Sequence, residues 1–260
     1  MNVRAIGLTT ELALATTRGR VVDRGDCLVV RTPDDPSYYA GNLLVLPQVP
    51  ARGELAGWLA RFADELSDAP HRAFAWDGGP GAANTPGELA ELVAAGFTIA
   101  RQQVMAADSV VAVPAPPELA IRALTPDEVV ATHALAFAMA DHHRDDDRVL
   151  LRRRAAWHAS LVARGDARFW GAFADTGELV ASLGLVELGE LARFQDVQTA
   201  PAFRRRGGAT ALLAAAAAAS QASRLVIVAE PDSAPARLYE RAGFRTIELA
   251  AWAWRAPAAT

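Results

Sequence analysis

The second half of the chain alternates between apolar stretches with strand spacing and amphipathic stretches with helical spacing. From residue 118 onward this pattern predicts the order β-α-α-β-β-β-α-β-α-β. Asp175–Gly177 mark the turn of a strand hairpin within it. The run "RLVIVAE" (224–230) is continuously apolar, which is typical of a strand that is covered on both faces. The pattern therefore predicts a mixed sheet covered by helices.

The first half repeats part of this order. A strand in "GNLLVLPQVP" (41–50) is followed by a helical stretch, a second strand and a second helical stretch. The last of these ends in Ala-Gly-Phe, as does the corresponding stretch near residue 244. Between the halves, the prolines of 114–117 suit a short stiff linker. We therefore predict two related units in tandem, residues 1–113 and 118–260, joined by 114–117.

Composition narrows the class of protein. Of 260 residues, 52% are hydrophobic, enough for a substantial core, and the net charge of −4 argues against a general nucleic-acid binder. The single cysteine, Cys27, excludes an intramolecular disulfide and a thiolate metal cluster, and its apolar neighbours predict a core position. We expect a protein without a metal or a nucleic-acid partner. We also expect a cytoplasmic protein without a membrane partner, since no apolar run has the length of a signal peptide or a membrane span.

An arginine-glycine turn, "VQTAPAFRRRGGAT" (197–210), joins a predicted strand to an alanine-rich helix. Glycines permit positive φ and a close approach of the backbone to a ligand. The first N–H groups of a helix lack internal partners and carry partial positive charge, and arginines add bidentate donors for phosphate oxygens. These residues alone leave a solvated basic turn and an anion site equally open. A nucleic-acid site is disfavoured because no aromatic residues interleave with the arginines.

Two motifs resemble those of the GNAT (GCN5-related N-acetyltransferase) superfamily. The turn resembles the family's acetyl-CoA signature Q/R-x-x-G-x-G/A, which is met by Arg204, Gly207 and Ala209. Downstream, "EPDSAPARLYERAGF" (230–244) resembles N-x-x-A-x-x-L-Y-x-x-x-G-F, with Asp232 in place of the usual asparagine and Pro235 in place of the usual alanine. The resemblance covers about 118–260 and implies an α/β (α+β) fold with a mixed, mostly antiparallel sheet flanked by helices.

The resemblance also implies acetyl-CoA as co-substrate. The backbone of Val197 and Thr199 would pair with the pantetheine arm, and the amides of Arg204–Thr210 would wrap the pyrophosphate. The implied binding residues are Val197, Thr199, Arg204, Arg205, Arg206, Gly207, Gly208, Ala209, Thr210 and Asp232.

Tyr239 would be the general acid that protonates the departing thiolate, a role that suits a phenol with a reference pKa near 10. The alternative is an ordinary half-buried helix tyrosine. For the general base, Asp196 is the first candidate because it lies on the strand beside the implied acetyl site. An ordered water could also serve, and the other candidate side chains are Glu187, Glu190, His133, His142 and His143.

The implied activity is transfer of an acetyl group to a primary amine by direct attack in a ternary complex. The acceptor would be a small molecule or a peptide, and the enzyme a monomer or homodimer. A non-catalytic module that binds CoA or a protein partner on the same fold is the alternative. The first half lacks the machinery: it has "VPARGELAGW" (49–58) at the turn, with Glu54 placed to repel phosphate, and Leu92 where Tyr239 stands. We therefore predict a degenerate GNAT-like first half.

Overall fold

The structure is a computed structural model that describes residues 1–78, 86–139 and 145–257, without the side chains of 86–88 and 145–147. The helices in these residues are α1 (Ile6–Thr16), α2 (Leu55–Glu65), α3 (Pro86–Ala94), α4 (Pro126–Met139), α5 (Asp145–Arg164), α6 (Gly208–Ala219) and α7 (Ala234–Arg241). The strands are β1 (Arg20–Asp23), β2 (Leu28–Arg31), β3 (Leu43–Leu46), β4 (Arg72–Trp76), β5 (Thr98–Ala107), β6 (Leu119–Ala123), β7 (Ala167–Ala174), β8 (Leu179–Leu188), β9 (Leu191–Thr199), β10 (Arg224–Ala229) and β11 (Arg245–Arg255). From β6 to β11 the order is the predicted one, and the α/β class is confirmed.

The chain divides into two compact units that differ from the predicted boundaries. The first unit comprises Met1–Val104, Val228–Ser233 and Thr246–Thr260, and the second comprises Met105–Ile227 and Ala234–Arg245. The last strand of the chain belongs to the first unit because β11 pairs antiparallel with β4. A hydrophobic pattern does not reveal which distant strand will pair with β11, so the predicted boundaries at 113 and 118 do not include this pairing.

In the first unit the strand order is β1-β2-β3-β4-β11-β5. One face of this sheet packs against α2, whose Phe62 is fully buried beside Phe74 and Leu44. Cys27 is fully buried in the same cluster, which confirms its predicted core position. The other face buries a second cluster, which includes Val30 and Val45 and packs against apolar side chains of α1.

In the second unit the strand order is β10-β9-β8-β7-β6. The β7–β8 hairpin turns where predicted, with Gly177 at φ 81°. A capping box starts α4: the backbone N–H of Thr125 donates to Oε2 of Glu128 at 2.9 Å, and the N–H of Glu128 donates to Oγ1 of Thr125 at 3.4 Å. The reciprocal bonds satisfy donors at the helix start that have no intrahelical partner.

The same pairing pattern occurs in each unit. The strands β1, β2 and β3 are successively antiparallel and β3 is parallel to β4, with α2 between β3 and β4. The strands β7, β8 and β9 are likewise antiparallel and β9 is parallel to β10, with α6 between them. A further helix follows the fourth strand each time. The two units are therefore related in topology, as the sequence predicts. Among the helices that the structure describes, none combines the length and apolarity needed to cross a membrane.

Candidate active site

An opening lies along the end of β9, where its pairing with β10 has stopped. Within 191–229, all of which the structure describes, the two strands pair only at Leu191–Arg193 with Arg224–Val226. β9 continues to Thr199 and stays paired with β8 on its other side, where Thr199 lies opposite Ala181. The backbone of 194–199 therefore presents N–H and C=O groups toward the opening without a ladder partner in β10.

A bulge in β9 lies at this opening. Between the pairs Gly184–Gln195 and Ser182–Gln198, two residues of β9, Asp196 and Val197, oppose the single Leu183 of β8. Asp196 has φ 45°, in the left-handed region. An extra residue of this kind bends its strand and increases the local twist, so the bulge turns β9 where its pairing with β10 has ended.

The arginine-glycine turn follows β9 directly. A 3-10 turn, Pro201–Phe203, leads into Arg204, and Gly207 is the N-cap of α6, in the left-handed conformation with φ 83°. In this turn, all of which the structure describes, no side chain caps the N-terminus of α6, and the first turn of α6 has no acidic residue. The partial positive charge of the first N–H groups of α6 therefore has no carboxylate of this helix beside it.

The three arginine side chains of the turn are exposed. The Arg206 guanidinium carbon lies 4.9 Å from the centre of the Phe203 ring, and Nε of Arg204 donates to the carbonyl of Thr199 at 3.4 Å. Arg205 adopts φ 62°. The structure thus places the predicted residues 204–210 in one basic loop at the start of α6, adjoining the end of β9.

Tyr239 is buried on α7, with 5% of its surface exposed. Its ring meets the edge of Phe244 at a centroid distance of 6.3 Å. Burial disfavours the charged phenolate and raises the pKa of Tyr239 to about 12. The phenol is therefore protonated at neutral pH and available as a proton donor. The raised pKa also makes it a weaker acid than a thiol, whose pKa is near 8.5 in cysteine, so donation to a thiolate must accompany cleavage of the carbon–sulfur bond.

Asp232 falls in a different unit from the other predicted residues. It is exposed, adopts φ 58° and belongs to the first unit, whereas the loop 204–210 and Tyr239 belong to the second. Its implied role in binding CoA stays a prediction.

Asp196 lies in a cluster of ionisable side chains that the sequence did not reveal. Its Oδ1 forms a salt bridge with Nη2 of Arg154, and its Oδ2 lies 3.3 Å from Nδ1 of His158. Arg154 and His158 are one turn apart on α5. The His158 ring is fully buried and packs against Phe169 at 4.9 Å. The spacing on α5 was visible in the sequence, but nothing in it indicated the partner on β9.

The other candidate bases have contacts of their own. Oε1 of Glu187 accepts a hydrogen bond from the Ser220 hydroxyl at 2.9 Å, and Glu190 is exposed after the end of β8. Nδ1 of His133 lies 2.7 Å from the carbonyl of Val130 one helical turn earlier. His142 and His143 lie outside the described residues. The general base therefore stays undetermined among these side chains, Asp196 and a water molecule. Within the described part of the chain, no cluster of three or more His, Cys, Asp or Glu side chains could hold a metal ion.

The corresponding turn of the first unit is closed by carboxylates. Glu54 is the N-cap of α2, and its Oε2 accepts from the N–H of Ala51 at 3.0 Å. The N–H of Gly53 donates to Oε2 of Glu91 at 2.7 Å. β3 and β4 also stay paired to their ends, at Leu46 and Trp76. The first unit thus lacks the strand opening, and carboxylates accept from amide N–H groups in its turn, although α2, like α6, has no side-chain cap. These differences agree with a degenerate half.

We expect Glu91→Ala to lower the free energy of unfolding by about 1 kcal/mol, because the Gly53 N–H loses a charged acceptor. Urea denaturation would measure this loss. Glu178→Ala, which removes an exposed glutamate in the β7–β8 turn, should stay within about 0.5 kcal/mol of the unmodified protein. Equal losses in the two variants would contradict the assignment of Glu91 as the internal anion of this turn.

Comparison with known proteins supports a GNAT-like fold. Residues 165–246, from the start of β7 to the strand after Tyr239, match the family model described as "Acetyltransferase (GNAT) domain". A GCN5-related N-acetyltransferase from Kribbella flavida superposes with a TM-score of 0.66 at 18% identity, covering 100% of this chain and 97% of that one. The fold is GNAT-like. A GNAT-like fold supports an acetyl-CoA-dependent acetyltransferase in general terms.

Two further solved structures share the GNAT-like architecture. A tandem GNAT protein from the clavulanic acid biosynthesis pathway has a TM-score of 0.54 at 17% identity, covering 84% of this chain and 76% of that one. A conserved protein of unknown function from Staphylococcus epidermidis ATCC 12228 has a TM-score of 0.76 at 12% identity, covering 92% and 94%. At these identities the likeness shows the fold alone. A search of curated proteins found no significant match.

Proposed function

We propose that the protein is an acetyl-CoA-dependent N-acetyltransferase that transfers an acetyl group to a primary amine by direct attack in a ternary complex. The observation that carries this proposal is the opening between β9 and β10 beside the basic loop at the start of α6. A pantetheine arm needs unpaired backbone groups along an extended strand, and a pyrophosphate needs amide N–H groups with positive charge. The chain provides both next to each other.

In the proposed complex, acetyl-CoA lies along β9. The backbone of Val197 and Thr199 pairs with the pantetheine arm, and the amides of the loop 204–210 hold the pyrophosphate with the three arginines as reinforcement. The acetyl end then lies at the bulge of β9. Positioning of the two substrates in one complex supplies a large part of the rate acceleration.

The chemistry requires one proton to leave the amine and one to reach the sulfur. The amine nitrogen bonds to the carbonyl carbon and gives a proton to the general base, the carbon–sulfur bond breaks, and the CoA thiolate takes the proton of Tyr239. Solvent then returns a proton to the phenol, whose raised pKa makes the protonated form strongly preferred. The proposed acceptor is a small-molecule or peptide amine, not a nucleic acid, and the proposed enzyme is a cytoplasmic monomer or homodimer.

Calorimetric titration with CoA and acetyl-CoA, followed by measurement of CoA release across a panel of small amines and peptides, tests this function. We expect binding of both ligands and amine-dependent release of CoA. Tight binding without release for any amine would favour the non-catalytic CoA-binding module. Failure to bind either ligand would overturn the proposal and favour a protein-interaction module as the function of this fold.

A further inference from the structure

The bulge of β9 is fixed by contacts of the Asp196 side chain as well as by the backbone pairing of β9 with β8. Asp196 adopts a left-handed backbone conformation, which non-glycine residues adopt only at a cost, although aspartate tolerates it better than most. Strained backbone of this kind persists when the surrounding structure fixes it, and it clusters at functional sites.

The side chains that contact Asp196 come from α5. Arg154 pairs with one carboxylate oxygen and Nδ1 of His158 lies 3.3 Å from the other, so the neighbours of both oxygens come from one helix. His158 is fully buried and wedged between Trp157, at 4.6 Å, and Phe169, at 4.9 Å, so its ring has a fixed position. The Arg154 side chain is 45% exposed and closes the outer side of the carboxylate. These contacts connect a rigid point in the core to the bulge.

We infer that Arg154, His158 and Asp196 form a positioning cluster that fixes the bulge of β9 in the geometry that receives the acetyl thioester. The inference rests on the proposed function, in which the acetyl end of acetyl-CoA lies at this bulge. Asp196 then acts through the backbone of Val197, and its carboxylate is not the group that removes the proton from the amine. His158 cannot be that group either, because its ring is closed off from solvent.

Different substitutions distinguish two roles of the Asp196 carboxylate, that of a base and that of a positioning group. A base needs the charge, so asparagine would abolish its function as fully as alanine. A positioning side chain needs polar contacts and tolerance of positive φ, and asparagine retains both better than alanine. Removal of Arg154 leaves the carboxylate in place and weakens only its outer contact.

The test measures the dissociation constants of acetyl-CoA and CoA for the full-length protein and its variants by calorimetry. Asp196→Ala should weaken acetyl-CoA binding about tenfold more than CoA binding, because only acetyl-CoA has the acyl group that meets the bulge. Asp196→Asn should restore most of this selectivity, to within about threefold of the unmodified protein. Arg154→Gln should lower the selectivity about threefold, and Arg152→Gln, from the exposed start of the same arginine triplet, should leave it unchanged.

The outcomes are distinct. Equal loss of affinity for both ligands in Asp196→Ala, or unchanged selectivity in a folded Arg154→Gln, would overturn the cluster while leaving the proposed function intact. Loss of turnover by more than about a hundredfold in both Asp196 variants, with selectivity for acetyl-CoA unchanged, would make Asp196 the base and also overturn the inference. Absence of CoA binding in the unmodified protein would overturn the proposed function and the inference together. If Asp196→Ala does not fold, the half-exposed Arg154 variant still decides.

Discussion

Arg206→Glu combined with Gly207→Asp should abolish CoA binding while leaving the fold intact. The double variant places two carboxylates where the pyrophosphate is proposed to lie. One like-charge pair at about 4 Å costs about 4 kcal/mol at an effective dielectric constant of 20, so we expect at least a hundredfold loss of affinity. Both positions are exposed, and aspartate tolerates the left-handed conformation of Gly207 better than most residues. Calorimetric titration with CoA measures the effect, and circular dichroism checks the fold.

The chain contains a matched control for this variant. Arg52 and Gly53 stand in the corresponding turn of the first unit, and Gly53 has φ 87° with open space around its Cβ position. Because carboxylates already close that turn, Arg52→Glu with Gly53→Asp should leave the dissociation constant of CoA unchanged. Loss of CoA affinity in the control, together with retained affinity in the Arg206 and Gly207 variant, would show that CoA binds in the first unit and would contradict the proposed site.

Local signals in the sequence were sufficient for the order of elements in the second half. The capping box at Thr125 and Glu128 starts α4, and Gly177 supplies the positive φ of the β7–β8 turn. Each of these features depends on residues within four positions of one another, so a single sequence contains all the information needed. The basic loop at the start of α6 is local in the same sense, because its arginines, glycines and helix are contiguous.

Features that depend on distant pairing could not be predicted. The partnership of β11 with β4 moves the end of the chain into the first unit, and no local pattern distinguishes one apolar strand as its partner from another. The cluster around Asp196 joins β9 to α5 in the same way. The extent of the opening between β9 and β10 depends on register, which the apolar run of β10 leaves undetermined.

Tyr239→Phe should lower kcat by about a hundredfold or more while leaving CoA affinity unchanged. The substitution removes the proposed proton donor, and general acid catalysis typically contributes about 10²–10⁴-fold. Phenylalanine keeps the ring that packs against Phe244, so the core should be retained. CoA release with the best amine of the panel measures kcat, and calorimetry measures affinity. Tyr39→Phe, which removes a hydroxyl in the first unit, is the matched control and should leave both quantities unchanged.

The raised pKa of Tyr239 makes kcat independent of this group over a pH range in which a solvent-exposed tyrosine would ionise. Burial favours the neutral phenol, so the proton donor is present below a pKa of about 12 and is lost only as the pH rises through that value. We therefore expect no decline in kcat from this group between about pH 8 and 10, where an ordinary phenol begins to ionise. A decline centred near pH 10 that disappears in Tyr239→Phe would contradict the buried state of the donor. A kcat for Tyr239→Phe within threefold of the unmodified enzyme would instead contradict the general-acid role itself.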